Sequence, residues 1–549
     1  MARATSPTVS AAAPLTPYAD AAEFNTDFGW EKTPGLGVHI EDLIGTTVRG
    51  KPVLPQGDNV PGTVRWQLDA GAEIDVGSDG IITYNFFDFR HALGQNNNPS
   101  RMGQVLGEGP GYTPFTPEQE AAARIAIQNW DDLIAPEFKE QPDMPGAKEF
   151  TRTDIQLANT YTGPAQAWGY YPGDGKVESD VWIADPRFNT SNAQFLPGQY
   201  GLQTLNHELG HTLGLSHPGT YDFGDDQDGD GQPDPITYTG DAQYFQDSHQ
   251  FTIMSYFDSY ETGAQNIDWN LMRFVYPSTP MVDDVYVIQQ KYGAEMSTRT
   301  GDTTYGFNAT ADVTNEAMRF HTDEMFTLFT IWDAGGKDTL DLSGYHTSSI
   351  IDLREGAYSS AGGVGAYDPS QLGDTLTLEQ INANNADAGF GPRTERLYEI
   401  YFNGDWSDDG GATLVNDGKS WKEITGTGDD YLMEQNIGIA YGAVIENAIG
   451  GYGDDRINGN QVNNTLTGGG GADTFIFVND GSVDTITDFQ TGVDDIDLSE
   501  IAGINASRVM YDAAGHQLLV NADGVGTSFE MVIKITTGTV NVATDVIYA

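Results

Sequence analysis

The sequence predicts an α+β domain followed by an all-β domain that contains a parallel β-roll. Three observations carry that expectation. Residues 61–297 mix β-branched and aromatic strand-like runs with amphipathic helix patterns. Within them Asn206–Pro218, NHELGHTLGLSHP, has the spacing of a helix that ends in a sharp turn. From about residue 445 a glycine- and aspartate-rich unit of nine residues recurs in register. A chain of 549 residues is ample for two domains with sizeable cores.

Taken in order, residues 1 to about 60 are rich in Ala, Pro, Thr and Gly and read as a flexible leader. Ile81–Phe89 (IITYNFFDF), after Gly80, reads as a strand. Thr116–Leu133 (TPEQEAAARIAIQNWDDL) predicts an amphipathic helix with Thr116 as N-cap, Pro117 at the first helical position and acids in the first turn. Asp154–Ala158 reads as another strand, and Ala167–Tyr170 with Ser179–Ile183 as a strand pair.

The next segment gathers three of the chain's nine histidines, His207, His211 and His217, within eleven positions. His207 and His211, four apart, project from one helix face and can reach a single zinc ion at ~2.0–2.1 Å each. Glu208 stands where H-E-x-x-H places a general base. Gly214 permits the left-handed turn that ends the helix, and His217 returns as a third ligand. Complementing a helix dipole accounts for one imidazole, not for three at ligand spacing. The whole is similar to the metzincin form H-E-x-x-H-x-x-G-x-x-H. Downstream, Thr252–Phe257 reads TIMSYF; Met254 alone would read as core filler, but Tyr256 follows it by two residues.

On these residues, and on Tyr200–Gly219 (YGLQTLNHELGHTLGLSHPG) along its whole length, the chain resembles the serralysin family of secreted bacterial zinc endopeptidases with a calcium-binding repeat domain. The resemblance implies a metzincin protease domain over 61–297, a twisted sheet with long helices, one of them bearing the zinc ligands. It implies that Met254 lies in a turn beneath the zinc, and that Tyr256 ligates zinc and moves to stabilise the reacting carbonyl. It places substrate along Gln166–Tyr170, with Ala167, Trp168 and Gly169 pairing an extended peptide. It further implies a short propeptide within 1–60, protein substrates, a proteinaceous inhibitor and a monomeric state. Secretion would follow a type I route that reads an uncleaved C-terminal signal, and Val542–Ala549 (VATDVIYA) resembles the family's ending. In agreement, the N-terminus lacks an apolar h-region, and no stretch reaches the ~18 apolar residues of a membrane helix.

Calcium is the second metal expected. In Tyr221–Pro235, Asp226, Asp228, Asp230 and Gly231 occupy the first, third, fifth and sixth places of a D-x-D-x-D-G loop, with Asp234 at the ninth. The twelfth place is Thr237, so the site is either open on one side or completed by another group such as Asp241. Thr298–Phe307 and Trp332–Tyr345 resemble the family's domain junction, where Arg299, Gly301 and Thr303 would supply carbonyls and Asp333, Gly335 and Asp338 would complete a calcium site. Gly450–Asn458 (GGYGDDRIN) and Gly468–Ile476 (GGGGADTFI) fit G-G-x-G-x-D-x-U-x, with a degenerate copy between them. The sixth places read Glu446, Asp455, Asn464, Asp473, calcium-binding positions; the eighth read Ala448, Ile457, Leu466, Phe475, a stacked core. A roll of that kind gains its folding energy from the bound ion. Residues 298–549 are thus expected to form the all-β domain, with Val483–Ile501 resembling the family's closing β-sandwich.

With 80 acidic and 26 basic residues the formal charge is −54, which argues against binding nucleic acid through phosphates. The absence of cysteine removes disulfides and thiolate metal sites, leaving calcium as the staple for a protein outside the cell. Two functions fit these features: a secreted, calcium-stabilised zinc endopeptidase, or a calcium-dependent surface or adhesion protein on a protease-like scaffold.

Overall fold

The computed structural model describes residues 39–48, 50–57, 60–86, 111–141, 153–173, 179–221, 234, 236–322, 326–364, 377–398, 431–526 and 528–548. Its first half is organised by one twisted sheet. Strands β1 (Ile81–Phe86), β2 (Glu137–Glu140), β3 (Ile155–Thr160), β4 (Ala167–Gly169) and β5 (Ser179–Ala184) lie in the order β2-β1-β3-β5-β4, all parallel except β4. Strands β3 and β5 are buried at every residue, as parallel strands covered on both faces are. The antiparallel β4 closes one edge.

Helix α1 (Pro117–Asp131) starts as its sequence dictates. Thr116 and Gln119 form a reciprocal capping box, with Pro117 in the first turn. Helix α2 (Tyr200–Thr212) is different: every residue from Gly201 to Thr212 is buried. It lies between α1 and the sheet, and Ala126, Trp130, Leu202, Leu205 and Leu209 share one core with Ile82, Ile155, Leu157 and Val181. The Trp130 indole N–H donates to the Asn206 carbonyl at 3.1 Å, joining the two helices without leaving a buried donor unmet.

One expectation changes at the N-terminal side. The sequence predicts a flexible leader to about residue 60, yet residues 39–48 and 50–57 are packed. Ile40, Val48 and Val53 bury against Phe245, Phe251, Met281 and Val282. Lys51 Nζ donates to the Thr239 and Ala242 carbonyls at 2.7 and 2.6 Å, and Gln56 donates to Asp283 at 2.9 Å. Composition concealed this because three apolar residues scattered among turns suffice when a distant surface covers them.

The second half is not all-β as expected, because Leu378–Asp387 forms a helix started by a Thr377–Gln380 capping box. Beside a three-stranded sheet of Phe329–Ile331, Ile437–Ile439 and Tyr358–Ser359, it is built mainly from two largely parallel sheets. One carries Thr304–Gly306, Thr339–Asp341, Asn447–Ile449, Thr465–Thr467, Val483–Ile486 and Met531–Ile535 in parallel order, extended by two antiparallel strands. The other carries Ile350–Asp352, Arg456–Asn458, Thr474–Ile476, Asp495–Asp497 and Val546–Ile547. Asn447 pairs with Thr465 and Arg456 with Thr474, so paired strands are two nines apart and successive nines fall in opposite sheets. The single apolar column of the sequence therefore becomes two: Ala448 and Leu466 in one sheet, Ile457 and Phe475 in the other. All four are 0 % exposed in a shared core. The parallel stacks also run on through Val483–Ile486 and Asp495–Asp497, beyond the repeats that sequence alone makes visible.

Candidate metal centre

Helix α2 delivers His207, Glu208 and His211, and a tight reversal delivers His217. The reversal depends on Gly214, whose φ is +89° and where a Cβ would lie 1.9 Å from the Ala72 carbonyl oxygen. The Leu215 N–H then returns to the Gly210 carbonyl at 2.9 Å, closing the helix end. Gly210 is equally constrained, since a Cβ there would meet Met254 Sδ at 2.6 Å. Met254, fully buried, thus sits directly against the helix between its two histidines.

One nitrogen from each of His207, His211 and His217 lies within 4.8 Å of the others. His207 Nδ1 is 2.8 Å from the Ile253 carbonyl and His211 Nδ1 is 2.8 Å from the Leu215 carbonyl. Only a protonated Nδ1 satisfies an acceptor, so each Nε2 keeps its lone pair. His207 Nε2 has no hydrogen-bond partner although buried, and His211 Nε2 stands 3.1 Å from His217 Nε2. Burial, then the neighbouring His217, holds the pKa of His207 and of His211 well below the usual imidazole value. Three buried, convergent imidazoles, with the tautomers of His207 and His211 fixed, fit one cation with tetrahedral coordination.

Glu208 is fully buried beside them and accepts a hydrogen bond from the Gly169 backbone N–H; burial pushes its pKa well above the usual value. This contact joins edge strand β4 to the helix. A Cβ on Gly169 would lie 2.5 Å from the Glu208 carbonyl oxygen and 3.2 Å from His211 Cβ. Gly169→Ala must therefore displace the strand. The expected result is a fall in kcat/KM on the order of 10²-fold with zinc content unchanged, read by peptide hydrolysis and metal analysis. Wild-type kinetics would show that the strand can give way without consequence. Trp168 is half-buried and Ala167 buried, and Gln166 bonds Asn192 at 2.7 Å and Thr204 at 3.0 Å, holding β4 to α2.

Tyr256 lies across the histidines: its ring centroid is 4.4 Å from that of His217, 6.2 Å from His207 and 4.9 Å from Tyr221. Tyr221 itself stacks on His217 at 5.9 Å and 11°. The sequence offered no sign of Tyr221 in this role, four residues past the last ligand, because no motif includes it.

Of the calcium candidates, Asp226, Asp228 and Asp230 lie outside the described residues. Asp234 is described, half-buried, and Asp241 accepts from the Thr237 N–H at 2.7 Å within a short helical turn. At the junction, Asp338 accepts from the Thr303 N–H at 2.7 Å, and the Asp338 N–H donates to Glu446 at 2.7 Å. Thr303 Oγ1 donates to the Gly301 carbonyl at 3.0 Å, and Asp333 accepts from Gly335 N–H at 2.9 Å and from the Tyr305 hydroxyl at 2.7 Å. The Arg299 side chain instead reaches Asp132 and the Trp332 carbonyl, at 2.6 and 2.7 Å.

The sixth-place side chains of the repeats form two ladders rather than one column. Ser349 N–H donates to Asp455, Asp455 N–H to Asp473 and Asp473 N–H to Asp494, at 2.6, 3.0 and 3.1 Å. On the other sheet Asn464 N–H donates to Asp484 at 2.8 Å. Asp484 and Asp494 were missed because a twenty- or twenty-one-residue step, in place of eighteen, breaks the register that the repeat motif detects.

Comparison with known proteins agrees with this construction. Serralysin A of Dickeya chrysanthemi is 30% identical over 526 residues, covering 90% of this chain and 88% of the relative. The chain belongs to the serralysin family. Serralysin C of the same organism is 37% identical over 287 residues, 51% of this chain and 53% of that relative. Serralysin of Proteus mirabilis is 32% identical over 402 residues, 71% of this chain and 62% of that relative. The family model described as Peptidase M10 serralysin C terminal matches residues 294–379 and 425–548 of this serralysin. With membership comes the family's class, secreted zinc metalloendopeptidase, and these relatives give the surface-protein alternative no support. None of the described helices is long and apolar enough to cross a membrane.

Proposed function

We propose that this serralysin hydrolyses peptide bonds within extended protein segments at one zinc ion held by His207, His211 and His217. The observation that carries the proposal is the convergence of three buried imidazoles, one nitrogen each within 4.8 Å, beside the buried Glu208 carboxyl. Zinc bound there supplies Lewis acidity, lowering the pKa of a water toward ~7 and polarising a carbonyl. Glu208 takes the proton of the attacking water and passes it to the leaving amine, and its burial favours holding that proton in between. Tyr256, its ring 4.4 Å from that of His217, donates its hydroxyl to the developing oxyanion. Ala167, Trp168 and Gly169 pair the substrate backbone in the manner of an added strand, with Gly169 next to the base.

Calcium is the proposed structural partner. Asp333 and Asp338 with the Arg299, Gly301, Thr303 and Gly335 backbone would hold one ion, Glu446, Asp455 and Asp473 others in the β-roll, and Asp226, Asp228, Asp230 and Asp234 one in the insertion. Two features support it. Buried oxygens of Asp338 and Asp473 have no hydrogen-bond partner. Burial and like charges also push Asp338 and Asp455 up to about 7, so these sites call for protons or a cation. Type I secretion, maturation by removal of a leader, a proteinaceous inhibitor and a monomeric state complete the proposal.

The test is casein cleavage in calcium, with a zinc-selective chelator as control. Cleavage that chelation stops and zinc restores is expected. A zinc-loaded, matured protein without cleavage would overturn the endopeptidase reading.

A further inference from the structure

We propose that Asp247 is a positioning residue for this reaction, anchoring Tyr221 and Ser255 so that His217 and Tyr256 keep their places; the role rests on the zinc-endopeptidase reading above. Asp247 is 0 % exposed, and a single oxygen, Oδ1, accepts from both the Tyr221 hydroxyl and Ser255 Oγ, each at 2.7 Å. Its Oδ2 has no hydrogen-bond partner. Burial raises its pKa to about 7 against those two hydrogen bonds and the Lys51 charge, with Asp241 acting in the same direction as burial. A buried carboxyl satisfied on one side only is destabilising relative to an apolar residue of similar volume, so stability alone does not account for it.

The two donors come from segments that flank the metal centre. Tyr221 follows His217 by four residues and stacks on its imidazole, at 5.9 Å and 11°, while meeting Tyr256 at 4.9 Å. Ser255 stands between Met254 and Tyr256, and its Oγ accepts the Phe257 N–H at 3.0 Å, which sets the backbone on both sides of Tyr256. One carboxylate thus ties the loop after the third ligand to the turn that carries the oxyanion donor. Tyr221, pinned at its hydroxyl, is a fixed wall against the rings of both His217 and Tyr256.

Tyr221→Phe, Asp247→Ala and the double variant of the full chain provide the test, with kcat, KM, Tm and zinc affinity by chelator competition. Each single substitution is expected to lower kcat about tenfold with KM within about twofold. The double should lose no more than the more damaging single, because both changes remove one shared hydrogen bond. Zinc affinity should fall several-fold in each, through the loosened His217. Unchanged kcat and zinc affinity with a lowered Tm would reduce Asp247 to a fold-stabilising residue, and fully additive losses would separate it from Tyr221. Should Asp247→Ala fail to fold, Tyr221→Phe still decides, since it keeps both the carboxylate and the ring. Failure of the underlying reading looks different: wild-type protein without zinc-dependent cleavage.

Discussion

Glu208→Gln is expected to lower peptide cleavage by 10²-fold or more, on the order of the 10²–10⁴ that a positioned general base contributes, while zinc stays bound. The substitution is nearly isosteric at a position that is 0 % exposed, so the core around α2 should repack little. The amide oxygen can still accept the Gly169 N–H, which preserves the contact between helix and edge strand. What glutamine cannot do is take a proton from water and hand it to an amine. The three imidazoles are untouched, and the Nδ1 bonds of His207 and His211 to Ile253 and Leu215 do not involve residue 208. Hydrolysis kinetics paired with zinc analysis separate the two effects. Near-normal turnover would remove Glu208 from the mechanism, and loss of zinc would recast it as a residue that shapes the site.

Withdrawing calcium is expected to open residues 445–480 to proteolysis before the zinc site is lost, and to make stability strongly dependent on pH. Asp455 is raised to about 7 and Asp473 to about 6, burial being the largest cause in each and neighbouring carboxylates adding to it. A carboxyl raised in the folded state gives stability that is complete below its unfolded value of ~4 and is lost as pH climbs through the folded value. In chelator, therefore, the repeats should be more resistant at pH 5 than at pH 8. In calcium, the cation neutralises the ladders in place of protons, and the dependence should flatten. At calcium 100-fold above its Kd, a single site adds roughly 2.7 kcal/mol. Limited proteolysis and Tm at both pH values, with and without calcium, read this directly. A segment that resists protease at pH 8 in chelator would show that calcium does not hold it.

What the sequence by itself determined was local. A four-residue step puts His207 and His211 on one face, a residue free of Cβ is needed where Gly214 turns at φ +89°, and a nine-residue period brings Ala448, Ile457, Leu466 and Phe475 inward. Each follows from helix pitch, backbone sterics or repeat length, which any short window contains. The capping box at Thr116 belongs with them. Only the tertiary structure decided that successive nines alternate between two sheets, and that the acidic column divides into ladders continued by Asp484 and Asp494. It alone decided that Gly169 lies against Glu208, that Ile40, Val48 and Val53 are packed, and that Asp247 reaches Tyr221 and Ser255 at once. These contacts pair groups from 8 to more than 200 positions apart, as Ser255 with Asp247 and Val48 with Phe251 illustrate. Their partners are chosen by which surfaces bury one another and which buried polar atoms must then be met, and no local pattern of residues encodes that choice.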